Sequence, residues 1–215
     1  MTSDVWNERA EAYRQSTTHS SGEDLDLTVA WCEPGEGVTV IDVATGGGHV
    51  ANRLRDAGCT VVTVDPAPGM NPDVIAPAEH LPFADGSFDA AVCRLAAHHF
   101  ADVLAAVKEM ARIASGRVVI CDNTFVSESS EEADRVRDPS HVRNYAVAEW
   151  ESFFELAGLR IVEREHMDRP LEIAPWLARV GCDGEDAARV VELLGDRVVD
   201  GWMPLPTLVL KGVHA

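Results

Sequence analysis

Three groups of residues in this 215-residue chain are of types that do chemistry. The first is Gly46-Gly47-Gly48, preceded by Val40-Ile41-Asp42-Val43-Ala44-Thr45 and followed by His49 and Val50. Glycine lets a backbone turn tightly and lets a ligand approach where a Cβ would stand. The second is Asp65, which ends the β-branched run Thr60–Asp65. A carboxylate there can accept hydrogen bonds from both hydroxyls of a ribose. The third is a set of histidines: His98 and His99 after the run Ala90–Leu95, and His141 inside Arg137–Arg143. Imidazole titrates near neutral pH, so each is a candidate to take a proton from a reacting group.

The spacing Gly46-x-Gly48-x-x-Ala51 fits the dinucleotide fingerprint, so an NAD(P)-dependent oxidoreductase is one reading. Asp42 argues against it. An anion facing the turn repels a pyrophosphate and suits a cationic amino-acid end. A hydride-transfer enzyme would also want a constellation such as Tyr-x-x-x-Lys, and neither Tyr13 nor Tyr145 has Lys four residues on.

The elements that must position these residues alternate along the chain. Val38–Ala44 is an apolar run broken only by Thr39 and Asp42, suited to a strand buried on both faces of a parallel sheet. A helix through Val50, Leu54 and Ala57 stops at Gly58, and Thr60–Asp65 is a second strand. Pro66–Pro77 holds four prolines and leaves no room for a full helix, only for a short strand at Asp73–Ala76. Strands at Ala90–Leu95 and Arg117–Asp122 flank an amphipathic helix over 102–114. Helices over 5–15 and 24–32 precede this unit. A polar, irregular stretch over 123–145 follows it. Then come a helical stripe of Trp150, Phe153, Phe154 and Ala157, a strand at Leu159–Glu163, two short helices and a strand at Thr207–Val213. Such alternation implies an α/β fold with a mostly parallel sheet and helices on both faces.

In that fold ligands bind at the carboxyl edge of the sheet, which is where His98, His99, His141, Asp122 and Asn123 fall. The competing readings are a packed or backbone-bonded histidine and, for Arg137–Arg143, a salt-bridged loop. His19 joins Tyr13 in a lid, His49 only starts its helix, and Trp176 and Trp202 fall in the segment that would roof an acceptor pocket. No spacing of Cys, His and Asp suggests a metal.

Lys and Arg number 18 against 36 Asp and Glu, a formal charge of −18 that disfavours nucleic acid or an anionic membrane as the main partner. The five cysteines show no C-x-x-C spacing and sit mostly in apolar runs, so reduced thiols and a cytoplasmic location are expected. The residues Met1–Glu8 lack the basic start and apolar run of a signal peptide.

The chain resembles the class I S-adenosylmethionine (SAM)-dependent methyltransferases, in the type 11 group that includes the ubiquinone and menaquinone biosynthesis enzymes. The resemblance is carried by Asp42-Val43-Ala44-Thr45-Gly46-Gly47-Gly48-His49, by Leu81-Pro82-Phe83-Ala84-Asp85-Gly86-Ser87-Phe88-Asp89, by Ala96-Ala97-His98-His99-Phe100 and by Arg137-Asp138-Pro139-Ser140-His141-Val142-Arg143. Trp6, Ala10, Tyr13, Ser16, His19 and Gly22 extend it to the start.

It implies a Rossmann-like, doubly wound, seven-stranded sheet of order 3-2-1-4-5-7-6 with the last strand antiparallel. It also implies one domain over 1–215: an N-terminal helical lid (1–35), a cofactor half (36–124) and an acceptor-side half (125–215). The cofactor implied is SAM, with S-adenosylhomocysteine as product and a small molecule as methyl acceptor. By that resemblance Asp42, Ala44, Gly46 and Gly48 line the methionine end and sugar edge. Asp65 takes the ribose, Pro66, Ala78 and Glu79 lie by the adenine, Arg94 and Leu95 lie under the methionine, and Tyr13 closes over it. Relatives usually carry an Asp before the Ala-Glu pair; here Pro77 stands there, with no side-chain acceptor for the adenine amine. A SAM-binding protein that does not transfer the methyl group is the second alternative.

Overall fold

The computed structural model describes residues 4–215, so Met1–Ser3 lie outside it, including the start of the expected lid and of the segment read for a signal peptide. A seven-stranded sheet has the order β3-β2-β1-β4-β5-β7-β6. Its strands are β1 (Thr39–Val43), β2 (Thr60–Asp65), β3 (Val74–Ile75), β4 (Phe88–Arg94), β5 (Ala114–Asn123), β6 (Leu159–Glu172) and β7 (Trp202–His214). Strands β1 to β5 pair in parallel, and β7 runs antiparallel to both β5 and β6. The Rossmann-like order expected from the resemblance is therefore the order found.

Alternation along the strands divides the core between two faces. Ile41, Val43, Ala91, Cys93, Val118 and Ile120 face α5 (Val103–Ile113) and α7 (Val147–Leu156), where Met110, Trp150 and Phe154 are fully buried. Val40, Ala90, Val92, Val119 and Cys121 face α3 (Glu23–Trp31) and α4 (His49–Asp56), through Leu25, Val29, Val50 and Leu54. Cys32, Cys59, Cys93 and Cys121 are buried free thiols, and Cys182 is a free thiol at partial exposure. Asp102 begins α5 by accepting a hydrogen bond from the Ala105 N–H at 2.9 Å, which satisfies one of the free amides of a helix start.

Between β2 and β3 there is only a 3-10 turn, Pro68–Met70, as the prolines required. The helix α1 (Asp4–Arg14) packs on that turn, and Gly69 N–H donates to Asn7 Oδ1 at 2.6 Å. A short α2 (Thr17–Ser20) links α1 to α3.

Three expectations need correction. The stretch over 123–145 is not irregular throughout: α6 (Glu128–Arg137) begins where Ser127 Oγ accepts from Ser130 N–H at 3.2 Å. Its sequence, ESSEEADRVR, carries too few apolar residues to show a helical stripe. The last two strands are also longer than expected. They continue as a paired arm in which Pro170 stands opposite Pro204 and Leu171 opposite Met203. Proline is tolerated there because β6 is an edge strand and β7, beyond its last pairing with β5 at Thr207, has one free side. The arm, α6, α8 (Ile173–Ala178) and α9 (Gly184–Leu194) enclose a separate apolar cluster around Trp176, Leu177, Val190 and Leu194. Trp202, expected to roof a pocket, is 49% exposed instead. No helix among the described residues is long and apolar enough to cross a membrane.

Candidate active site

The carboxyl ends of β1, β2 and β4 open onto a cavity of about 480 Å³. The chain leaves β1 through Ala44 (φ +56°), Gly46 (φ +52°) and Gly48 (φ +77°), and leaves β4 through Leu95 (φ +54°). Alanine and leucine each lose about 1–3 kcal/mol in this left-handed region, strain of a kind that collects at functional sites. Tyr13, Asp42, Ala44, Gly46, Asp65, Pro66, Ala78, Glu79, Arg94 and Leu95 all line the cavity. Gly48 does not; Gly47 lines it instead.

Asp65 is fixed at the tip of β2. Its Oδ2 accepts from Gly46 N–H at 3.0 Å and its Oδ1 from Ala67 N–H at 2.9 Å, so each oxygen keeps a lone pair for a further donor. Burial raises its carboxyl above the usual range, against those two hydrogen bonds. Asp42 accepts from Thr45 Oγ1 at 2.6 Å and has no cationic partner within ion-pair distance among the described residues. Burial pushes its carboxyl up to about 6, with Asp65 adding to the rise. A buried, unpaired pair of aspartates beside bare backbone is a site that a cationic ligand would stabilise.

Gly47 has a different task from its neighbours. A Cβ there would stand 2.7 Å from the Tyr13 carbonyl oxygen and 2.9 Å from His49 Nε2. His49 Nε2–H donates to that same carbonyl at 2.9 Å. The middle glycine thus admits the end of α1 while its backbone lines the cavity, and His49 ties α1 to the turn as well as starting α4. Trp6 and Tyr13 meet edge to face at 5.8 Å, and the His19 ring lies 5.3 Å from Tyr13. Arg94 holds the other end of the N-terminal segment. Its guanidinium reaches buried Asp24 through Nε at 2.8 Å and Nη2 at 2.6 Å, and donates to the His19 carbonyl at 2.9 Å. Glu79 Oε1 is occupied by the N–H groups of Ala101 and Asp102 at the start of α5.

On the far side of the cavity the three expected histidines come together, His99 and His141 on its wall and His98 behind them, although His141 is more than forty positions from the others. Ring centroids are 4.2 Å apart for His98 and His99, 5.6 Å for His98 and His141, and 6.3 Å for His99 and His141. Their environments differ. His98 Nδ1 lies 2.6 Å from Asp122 Oδ1, and His98 N–H donates to Asp122 Oδ2 at 2.9 Å. Burial opposes charge on His98, but the Asp122 carboxylate and its hydrogen bond prevail and raise the imidazole above its usual range. His99 Nδ1–H donates to the Ser140 carbonyl at 3.0 Å, which leaves Nε2 as an acceptor. Burial and the neighbouring His98 hold it neutral, well below the usual range. His141 Nε2 is engaged by Glu131 at 3.2 Å. Glu131, Asp134 and His141 offer oxygen and nitrogen atoms within 4.8 Å of one another, a grouping that their spacing in the chain did not reveal. The expected salt-bridged loop is only partly present: Asp138 pairs with Arg9 at 2.9 Å and Arg143 with Glu149 at 2.8 Å, while Arg137 has no ion pair among the described residues.

Beyond His98 and His99 lies a smaller chamber of about 50 Å³. It shares Tyr13, His19, Leu95 and His99 with the larger cavity and is otherwise walled by residues such as Arg137, Arg169, Arg179 and Trp176. Asp24, Arg169 and Arg179 carry no mark in the sequence, and Arg137 shows there only as part of a salt-bridged loop, because nothing local marks a residue that meets its partners across the fold.

Residues 41–120 match the methyltransferase domain family. Over 208 residues the chain is 31% identical to the uncharacterized methyltransferase YcgJ of Bacillus subtilis (strain 168), covering 86% of this chain and 82% of that one. The chain belongs to the class I SAM-dependent methyltransferase family. It is also 34% identical over 100 residues to a demethylmenaquinone methyltransferase of Corynebacterium kroppenstedtii, a match that spans 42% of this chain and 44% of the relative. Among solved structures, the crystal structure of YcgJ superposes with a TM-score of 0.78 at 25% identity, covering 89% of this chain and 97% of that one.

Proposed function

We propose that this enzyme binds SAM across the carboxyl edge of the sheet and transfers its methyl group to a small acceptor, with His98 as the proton acceptor. The observation that carries the reading is Asp65: its carboxylate stands at the cavity wall, oriented by Gly46 and Ala67, with lone pairs left for two ribose hydroxyls. The donor set fits the rest of the ligand. Asp42 supplies an unpaired anion toward the cationic methionine end. Arg94, held by Asp24 at the cavity wall, places its positive charge toward the methionine carboxylate. Pro66, Met70, Pro77 and Ala78 offer apolar walls for an adenine held by packing and not by a side-chain acceptor. Tyr13 and the helices before α3 close the site in the manner of a lid belonging to the same domain.

SAM, when bound, supplies a methyl carbon already activated by a sulfonium. The chain then has to align an acceptor atom and exclude water. Where that atom carries a proton, His98 Nε2 takes it while Asp122 holds the ring and stabilises the imidazolium. SAM held by Asp65 and Asp42 would supply the methyl carbon for the electron pair so freed and would leave as the thioether. His99, neutral and fixed by Ser140, orients the same hydrogen through its Nε2 lone pair. His141, engaged by Glu131, keeps the pair in place.

Calorimetry with SAM, S-adenosylhomocysteine and NAD tests the cofactor. Micromolar binding of the first two, lost in Asp65→Ala, is expected. Binding of NAD alone would sink the reading. Tight SAM binding without turnover on any small acceptor would favour a protein that uses SAM without transfer.

A further inference from the structure

We propose that the methyl acceptor is an oxyanion-bearing small molecule, a carboxylate or a phosphate ester, whose anionic group is held in the small chamber by Arg137, Arg169 and Arg179. The proposal rests on the methyltransferase reading and adds the acceptor's chemical class to it. In a chain of formal charge −18, arginines gathered in one chamber with little counter-charge are unexpected. Their own contacts are mainly with neutral groups. Arg137 donates to the Trp176 carbonyl at 3.2 Å and lies 4.2 Å from the centroid of that indole. Arg169 donates to Thr207 Oγ1 at 2.8 Å and Asn123 Oδ1 at 3.1 Å; its one carboxylate neighbour is Asp24, at 3.8 Å and already paired to Arg94. Arg179 donates to Thr18 Oγ1 at 3.0 Å and forms no ion pair among the described residues.

Of the other acids nearby, Asp122 is committed to His98 and Asp138 to Arg9, and Asp134, the one that also faces Arg137, accepts from Asn144 Nδ2 at 2.8 Å and makes no ion pair with it. Burial and mutual repulsion push Arg179 down to about 10, and burial lowers Arg137 and Arg169 as well. Neutral acceptors fix the planes of these guanidinium groups without neutralising them, which is how a site for a planar or tetrahedral oxyanion is preorganised. A chamber of about 50 Å³ takes an anionic group and not a whole acceptor. The rest of the molecule would extend past His98 and His99 into the larger cavity, which the shared wall residues allow. The anion is thus anchored on one side of the histidines and the methyl donor on the other.

The test is a titration of the full-length protein, saturated with S-adenosylhomocysteine, with benzoate and separately with inorganic phosphate, at ionic strength held constant with chloride. One saturable site is expected, about tenfold weaker in Arg179→Gln and in Arg137→Gln, since each removes a charged hydrogen-bond donor. S-Adenosylhomocysteine affinity should not move and the melting temperature should not fall, and Arg160→Gln, exposed on β6, should match the wild type. Stronger benzoate binding assigns a carboxylate, and stronger phosphate binding a phosphate ester. No saturation by either anion overturns the proposal. So does saturation that both arginine variants leave unchanged. Failure of S-adenosylhomocysteine to bind removes the methyltransferase reading instead; the same titration of the free protein then decides the anion site by the same arginine dependence.

Discussion

The two sides of the carboxyl edge are built in opposite ways. The β1–β2 side is acidic, its aspartates 23 positions apart in the chain, on adjacent paired strands. The side beyond β4 is basic and is assembled from α6, β6 and the end of α8, with Thr18 from α2 orienting Arg179. Asp24 and Arg94 stand between them: Arg94 lines the larger cavity, and Asp24 reaches within 3.8 Å of Arg169 in the smaller one. An anionic wall beside a cationic one lets a single cleft hold a cationic donor and an anionic acceptor without either competing for the other's place. The arrangement also leaves each wall short of counter-charge when empty, so ligand binding and stability are linked.

Substitutions at the junction and on either wall separate these roles. The largest effect is expected for Asp24→Ala, which strands Arg94 in the interior. A buried pair broken from one side costs about 3–5 kcal/mol, read as a lower urea midpoint. An unchanged midpoint would show that the walls do not depend on the pair between them. Asp65→Ala comes next. Loss of two hydrogen bonds to an anion weakens SAM about a hundredfold or more by calorimetry.

On the basic side, His98→Ala should lower turnover about a hundredfold while SAM affinity holds, the size expected for loss of a general base. The wild-type rate should rise with pH as His98 loses its proton, at a pH above the usual imidazole range because Asp122 raises it. A flat profile would leave catalysis to alignment alone. The smallest effect is expected at Asp42. Burial raises its folded carboxyl to about 6, above the usual aspartate range, so ionising it costs the fold at high pH and nothing once the pH falls below that usual range. Asp42→Asn should therefore stabilise the ligand-free protein by about 1–3 kcal/mol at pH 8, and less as pH falls, while weakening SAM.

The acidic side was legible in the sequence because its signals are local. A glycine turn between a strand and a helix, and an aspartate ending the next strand, are set by neighbours in the chain. The prolines of Pro66–Pro77 likewise forbade a helix wherever that segment packed. The histidines were legible as candidates but not as distinct groups. Asp122 separates His98 from His99, and Ser140 and Glu131 set the other rings, all through contacts of ten to forty-one positions. Helix α6 and the long β6–β7 arm were misread because their sequences are polar or proline-bearing. They are stabilised by the cluster around Trp176 and by edge pairing, not by their own pattern.

By itself, then, the chain determined the alternation of strands and helices, the turn at Gly46–Gly48 and the aspartates beside it. Each of these follows from local backbone freedom and from which side chains avoid water. Only the tertiary structure decided which glycine faces the cavity, which imidazole holds its proton more tightly, and where the surplus arginines gather. Those depend on burial and on charges brought together across the fold, and the energy of such contacts is set by distance in space.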